Sequence, residues 1–345
     1  MSGTGGARRS PMGRTADMAR VSKNRYWLGF DLGGTKMMAT VFDRQFNVVG
    51  TRRKKSKDGK GARAGVSRIA ETIEEALQAA HVSHSRLGGI GVGCPGTLDL
   101  DRGVILQAPN LHWQNVPLKK ILQKEFGCPV LIANDVDAGT YGEYRFGAGR
   151  GARCVLGVFP GTGIGGGLVY EGKLFRGRTG SCLEIGHIHM QPKGRLCGCG
   201  RRGCLETVAS RLAIAAEASG AAYRGQAPHL LELAGTDVAS IRSGALAASI
   251  KAGDRVVEAI VRHAGKDLGI AIASVVNLLA PDIVVLGGGL MEALPGIFLQ
   301  EVRATVRKQA MKAYTKSLRI VAAQLEDDAT VTGAAALVAD ALREK

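Results

Sequence analysis

No stretch of the 345-residue chain approaches the roughly 18 consecutive apolar residues of a membrane-spanning helix, so none is expected. Residues 1–25 have no apolar core either; they are rich in Gly, Arg and Ser, which excludes a secretory signal peptide. Acids are few: 30 Asp and Glu stand against 46 Lys and Arg, for a net charge of +16. The seven cysteines are odd in number, and without an export signal they argue for a reducing cytoplasm rather than a disulfide framework. Apolar material is not short. Hydrophobic residues make up 45%, enough for buried cores, which excludes disorder of the whole chain. The length suggests about two domains.

The positive charge is concentrated. Arg8, Arg9, Arg14, Arg20, Lys23 and Arg25 against Asp17 give residues 1–25 a charge of +5. Residues 51–63 carry +6, with Arg52, Arg53, Lys54, Lys55, Lys57, Lys60 and Arg63 against Asp58. Such blocks are usually solvated arms and loops, and residues 1–23 read as a disordered basic arm. An anion-attracting role, including polyphosphate as a phosphoryl donor for the 51–63 loop, is the alternative.

Punctuated apolar runs follow. Tyr26–Phe30, a glycine turn at 33–34 and Met37–Phe42 read as strand, turn, strand. Residues 47–50 extend the pattern, and 66–82 show helical spacing. Short buried strands are expected at 89–92 and 129–133, and helices at 118–126 and 138–146. A second strand, glycine turn and strand appears at 154–170, with 161–167 as the turn. This hints at two similar halves without a residue-level repeat. Helices are expected at 206–218, 252–279 and 328–343, with a strand at 283–286.

Several constellations can carry chemistry. In Asp31-Leu32-Gly33-Gly34-Thr35-Lys36, glycines after a strand let backbone amides approach a phosphate, Thr35 and Lys36 add donors, and Asp31 could hold Mg²⁺ through water. The context is not that of a Walker A loop. Gly161, Thr162 and Gly163 open a second glycine turn, and Gly288 sits in a third after a buried strand. Cys197, Cys199 and Cys204, with His187 upstream, form a Cys₃His set suited to closed, structural zinc; His189 is the rival histidine. Asn134, Asp135, Glu184, His187 and Glu206 are polar groups beside apolar strand ends. Asp135 could be a helix N-cap or could take a proton from a substrate hydroxyl.

Taken in order, the Asp31–Lys36 motif, Asn134-Asp135, the 161–167 loop, Glu184-Ile185-Gly186-His187 and the 197–206 cysteine segment resemble the ROK family (repressor, open reading frame, kinase), and within it the bacterial glucokinases. The resemblance covers roughly residues 24–342. It implies an α/β, actin-like ATPase (ribonuclease H-like) fold with two domains and an interdomain cleft. The division expected is 24–135 plus the helix at about 326–345, and 136–325 with the zinc knuckle. It also implies ATP- and Mg²⁺-dependent phosphorylation of a hexose, glucose at O6, in a homodimer or homotetramer.

By position, Asp135 resembles the catalytic base. Gly96, Asn110, Asn134, Glu184, His187 and Glu206 resemble sugar ligands. Asp31, Gly33, Gly34, Thr35, Lys36, Gly161, Thr162, Gly163 and Gly288 resemble the nucleotide site, and His187, Cys197, Cys199 and Cys204 the zinc set. Two departures bear on the sugar. Cys182-Leu183 stands where the family has Ala-Gly, so Leu183 is expected to reshape the pocket. Leu111-His112-Trp113 replaces Leu-Pro-Gly-Trp. Related kinases act on N-acetylglucosamine, N-acetylmannosamine, fructose or allose. Sugar-responsive regulators of the family carry a helix-turn-helix, for which the roughly 25 residues before the first strand offer no apolar two-helix pattern.

Overall fold

The computed structural model describes residues 25–56, 61–178, 180 and 182–343. The basic arm expected at residues 1–23 lies outside the described residues. The first sheet contains β1 (Tyr26–Leu32), β2 (Lys36–Phe42), β3 (Val48–Lys55), β4 (Leu87–Cys94) and, after a small antiparallel sheet, β8 (Val130–Asn134). The small sheet holds β5 (Thr97–Asp99), β6 (Val104–Ala108) and β7 (Trp113–Val116). The second large sheet contains β9 (Cys154–Pro160), β10 (Ile164–Tyr170), β11 (Lys173–Leu174), β12 (Ile283–Leu286) and β13 (Arg319–Ala322).

The two large sheets have one plan. Their orders are β3-β2-β1-β4-β8 and β11-β10-β9-β12-β13. In each, the first three strands are antiparallel neighbours and the last two join in parallel. The similarity of halves hinted at by the sequence is therefore one of topology.

Helices close the faces. They are α1 (Gly61–Ala79), α2 (Leu118–Phe126), α3 (Asp135–Phe146), α4 (Glu206–Ala209), α5 (Arg211–Tyr223), α6 (Pro228–Ala234), α7 (Ser243–Ala252), α8 (Arg255–Leu279), α9 (Gly289–Ala293), α10 (Pro295–Gln309), α11 (Lys312–Thr315) and α12 (Ala329–Arg343). Ile69, Ile73 and Leu77 of α1 and Leu118 and Leu122 of α2 pack on the first sheet in one core. Leu268, Ile272 and Val276 of α8 and Phe298 and Val302 of α10 pack on the second sheet in another.

Between the sheets lie α3 and α12. Val331, Ala335 and Val338 of α12 pack against Trp27, Met38 and Phe42 of the first sheet, while Ala336 joins Tyr141 of α3 on Val155 and Val285 of the second. Glycines make this approach possible. A Cβ on Gly29 or Gly91 would lie 1.8 Å from the carbonyl oxygen of Val331 or Ala334, and one on Gly333 would lie 1.7 Å from that of Ala138. Polar clamps complete the crossing. Fully buried Glu143 of α3 accepts from Ala148 N, Gln324 N and Leu325 N at 2.8, 2.9 and 2.7 Å, fixing the chain that leads into α12. Tyr141 donates to Asp340 at 2.7 Å, and Arg145 pairs with the same carboxylate.

The structure corrects several sequence expectations. Gly165, Gly166 and Gly167 lie within β10, so the turn is 161–163, where β9 and β10 reverse. The helix expected over 206–218 breaks at Ser210, whose hydroxyl caps α5. Residues 51–55 are not a loop but the outer strand of the first sheet. Arg52 and Lys54 there pair with Glu75, and Arg53 with Asp327 and Asp328. Three of the four basic residues at 51–55 are thus already paired.

Gly333→Ala forces a methyl into the α12–α3 crossing, where backbone cannot yield cheaply. We expect a loss of about 3 kcal/mol or more, read as a lowered Tm in thermal unfolding, with Gly296→Ala, at an open site with ordinary backbone, much milder.

Candidate active site

The β8–α3 junction supplies the central carboxylate. Asn134 ends β8 with extended backbone, and its Oδ1 accepts from Val136 N and Asp137 N at 2.9 and 3.2 Å. Asn134, not Asp135, is therefore the N-cap. Asp135 is freed from that duty and opens the helix facing a cavity of about 940 Å³. Burial pushes its carboxyl up to about 6; donation from Val136 N works against this, and nearby Glu184 adds to it.

That cavity is lined by Gly34 and Thr35 from the β1–β2 turn and by Gly161, Thr162 and Gly163 from the β9–β10 turn. Pro95, Gly96, Asn110, Asn134, Glu184, His187 and Glu206 complete one end, and Arg211, Arg242, Ser243, Gly289 and Glu292 the other. A second cavity of about 1070 Å³ shares Gly96, Asn110, Asn134, Glu184, His187 and Glu206. The six residues expected at the sugar thus converge on one wall. Gly96 has φ +87°, and a Cβ there would lie 2.1 Å from Gln107 O, so the sharp turn after β4 requires glycine.

Glu206 ties three parts together. Its Oε2 accepts from Ile164 N at 3.1 Å, and its Oε1 lies 3.8 Å from Cys197 Sγ. A Cβ on Gly163 would approach its Oε2 to 2.4 Å, so a larger residue there would push this carboxylate away from the turn. His187 Nδ1 is 3.6 Å from Cys197 Sγ, and Cys199 and Cys204 sulfurs are 3.7 Å apart. The ligand atoms of His187, Cys197, Cys199 and Cys204 all lie within 4.8 Å of one another. His189 is outside this group. Three thiols and one imidazole at that spacing fit tetrahedral zinc.

Other expected residues lie at one remove. Asp31 sits half-buried near the end of β1, where desolvation, with Asp135 adding, pushes it up to about 7. Gly33 shapes the turn: a Cβ would meet Lys36 O at 2.6 Å. Lys36 Nζ is held 2.7 Å from both oxygens of Asp327. Gly288, at φ +82°, lines a separate small cavity of about 100 Å³, while Gly289 lines the main one. Leu183 departs from expectation. At φ +55° it packs against the core of the second sheet, and Cys182 is the member of the pair in the cavity wall.

Sequence reading missed Asp137, Cys182, Arg211, Arg242 and Glu292. Asp137 is two residues past Asp135 and only 3% exposed; burial pushes it up to about 7, against the pull of Arg176. No local pattern marked it, because its burial comes from the packing of α3 on β10.

This architecture is that of the actin-like ATPase class: two α/β domains with a cleft between them. The chain belongs to the ROK family, whose model matches residues 27–341. Glucokinase of Streptomyces coelicolor is 33% identical over 313 residues, 90% of this chain and 96% of that enzyme. A ROK family glucokinase from Streptomyces griseus, solved in complex with glucose and AMPPNP, is 33% identical with a TM-score of 0.80 over 91% of this chain and 99% of that one. The DNA-binding transcriptional repressor Mlc of Escherichia coli is also 33% identical, over 74% of this chain and 62% of the repressor. Among the described residues no helix is long and apolar enough to cross a membrane.

A carboxyl whose folded pKa is raised adds stability at low pH that is lost as pH rises through the folded value. For Asp137 that window runs from about 4 to about 7. Asp137→Asn should therefore raise the Tm at pH 8 by about 2 °C or more and change it little at pH 4, in scans across that range.

Proposed function

We propose that the protein is an ATP-dependent hexokinase that phosphorylates glucose at O6, yielding glucose 6-phosphate and ADP. The observation that carries this reading is the position of Asp135, between the polar wall of Gly96, Asn110, Asn134, Glu184, His187 and Glu206 and the two glycine turns. Two glucokinases at 33% identity, one with glucose and AMPPNP bound, support it. A sugar-responsive regulator is the second reading, favoured by the similarity to Mlc. An acidic group poised in a cleft with phosphate-type turns is not needed for sensing alone.

The polar wall holds the sugar and leaves its primary hydroxyl at Asp135. Asn134 Oδ1 is committed to capping α3, so its amide nitrogen is the free donor. Asp135 accepts the hydroxyl proton as the new oxygen–phosphorus bond forms and the bond to ADP breaks. Phosphoryl transfer has a loose transition state, so orientation and charge placement matter more than basicity. Amides of the 33–35 turn and of Thr162 and Gly163, with the Thr35 and Thr162 hydroxyls, hold phosphate oxygens, the Gly161 amide being spent on Gly163 O; Gly288 shapes the adjoining pocket, and Lys36 adds charge once freed from Asp327. Asp31 is placed to hold Mg²⁺ through water, which would neutralise charge on the donor. Residues 24–135 with 326–345 close against 136–325, excluding water. On this reading the enzyme works in the cytoplasm as a homodimer or homotetramer.

Zinc held by His187, Cys197, Cys199 and Cys204 would fix the imidazole through Nδ1 and turn Nε2–H toward the sugar. Metal analysis should find one zinc per chain. Cys199→Ser should lose it and raise the sugar KM about tenfold or more. Stoichiometric zinc with unchanged KM would remove the knuckle from the site.

The direct test is ADP release with MgATP against glucose, mannose, fructose, N-acetylglucosamine and N-acetylmannosamine. Glucose should have the highest kcat/KM, falling on the acid side with an apparent pKa near the value of about 6 set for Asp135. Asp135→Asn should lower kcat about 10²–10⁴-fold while sugar binding persists. Preference for another sugar would move specificity to residues 108–113 and 182–183. Absence of turnover with folded, zinc-loaded protein would overturn the kinase reading.

A further inference from the structure

We propose that Arg211 and Arg242 form an anion-reading wall at the donor end of the cleft, gripping the phosphate chain of the phosphoryl donor rather than its nucleoside. The inference rests on the kinase reading, since it takes the cavity beyond Asp135 as the donor site. The two arginines are 31 positions apart and come from different helices, α5 and the start of α7, yet line one cavity. Among the described residues neither has a carboxylate partner. Arg145, Arg153, Arg255 and Arg262, by contrast, pair with acids.

Arg211 is held in place by its neighbours. Its backbone N donates to Gly161 O at 2.8 Å, and its guanidinium donates to Thr162 Oγ1 and to Ile241 O, both at 3.3 Å. The acceptor of the last bond is the residue just before Arg242, and both arginines line the same cavity, where burial, with Arg242 adding, disfavours the charge on Arg211. Arg242 itself has no side-chain hydrogen bond or ion pair among the described residues. Two like charges kept together without an acid call for an anion between them. A guanidinium offers five donors in a planar fork matched to phosphate oxygens, and neutral ribose or base would leave the repulsion in place. Glu292 is the one acid on this end of the lining, and it faces the Lys36–Asp327 side.

Arg242 is the cleaner position to test, because nothing in the fold depends on its side chain, whereas Arg211 also braces the 161–163 turn. Calorimetry with MgADP, and competition by inorganic tripolyphosphate, should be run on the full chain and on Arg242→Ala and Arg242→Lys. The Kd for ADP should rise about tenfold in Arg242→Ala, with partial recovery in Arg242→Lys, as for loss of a charge-assisted hydrogen bond. Tripolyphosphate should displace ADP from the wild type and do so about tenfold less well from Arg242→Ala, with sugar KM unchanged. An ADP Kd within twofold of wild type overturns the proposal and leaves the kinase reading standing. A weakened ADP site with unaltered tripolyphosphate competition also overturns it, assigning the arginines to the nucleoside. Wild-type protein that phosphorylates sugar with neither effect refutes the wall alone; protein that binds no ADP refutes both readings.

Discussion

The close crossing of α3 and α12 is the constraint on which the rest of the molecule depends. Two five-stranded sheets of the same plan must share two helices as their common inner layer, and ordinary side chains at the crossing would hold them apart. Glycines at 29 and 91 in the strands and at 142 and 333 in the helices remove the Cβ atoms that would collide with Val331, Ala334, Ala329 and Ala138 carbonyls. Burial of Glu143 with three backbone donors then locks the chain entering α12. Because α3 begins with Asp135, the crossing that joins the halves also sets the depth of the central carboxylate.

A second coupling runs through Glu206. One carboxylate touches the β9–β10 turn through Ile164 N, lies beside Cys197, and faces the cavity. The cysteine segment is therefore part of the wall and not a remote staple. Its own geometry depends on Gly203, at φ +77°, where a Cβ would come within 1.8 Å of Gln191 O. A change in the knuckle reaches both the acceptor wall and the phosphate-type turn through this single side chain, which is why proposed sugar and donor binding should respond together to its loss.

Much of this was legible from short, strong local patterns. The two strand–glycine–strand motifs stand at β1–β2 and β9–β10, Asn134 and Asp135 stand at a strand-to-helix junction, and His187 joins the three cysteines. What local pattern did not carry was decided by distant packing. β5, β6 and β7 are three to five residues long, too short for a periodicity to rise above noise, and only their joint burial of Leu98, Ile105 and Trp113 defines them. The glycines in β1 and β4 could be placed in strands, but their reason lies some 300 and 240 positions away in α12. Leu183 was misplaced because a departure from a family pattern gives the residue and not the direction of its side chain, which the positive φ turns into the core.

Charge along the cleft completes the physical account. Asp31, Asp135 and Asp137 are crowded into one buried region, and each is pushed up by burial and by at least one neighbour of the same sign. Arg211 and Arg242 crowd the opposite end with the other sign. Each end is strained alone, and the two strains are relieved by different partners: cations and hydroxyl protons at the acidic end, phosphate oxygens at the basic one. On the proposed reading, a neutral sugar and a polyanionic donor carrying a divalent cation would be favoured in one orientation in the cavity. It runs the donor from the arginines past the glycine turns toward Asp135. Specificity for the direction of the donor follows from this gradient even before any contact to a base is considered.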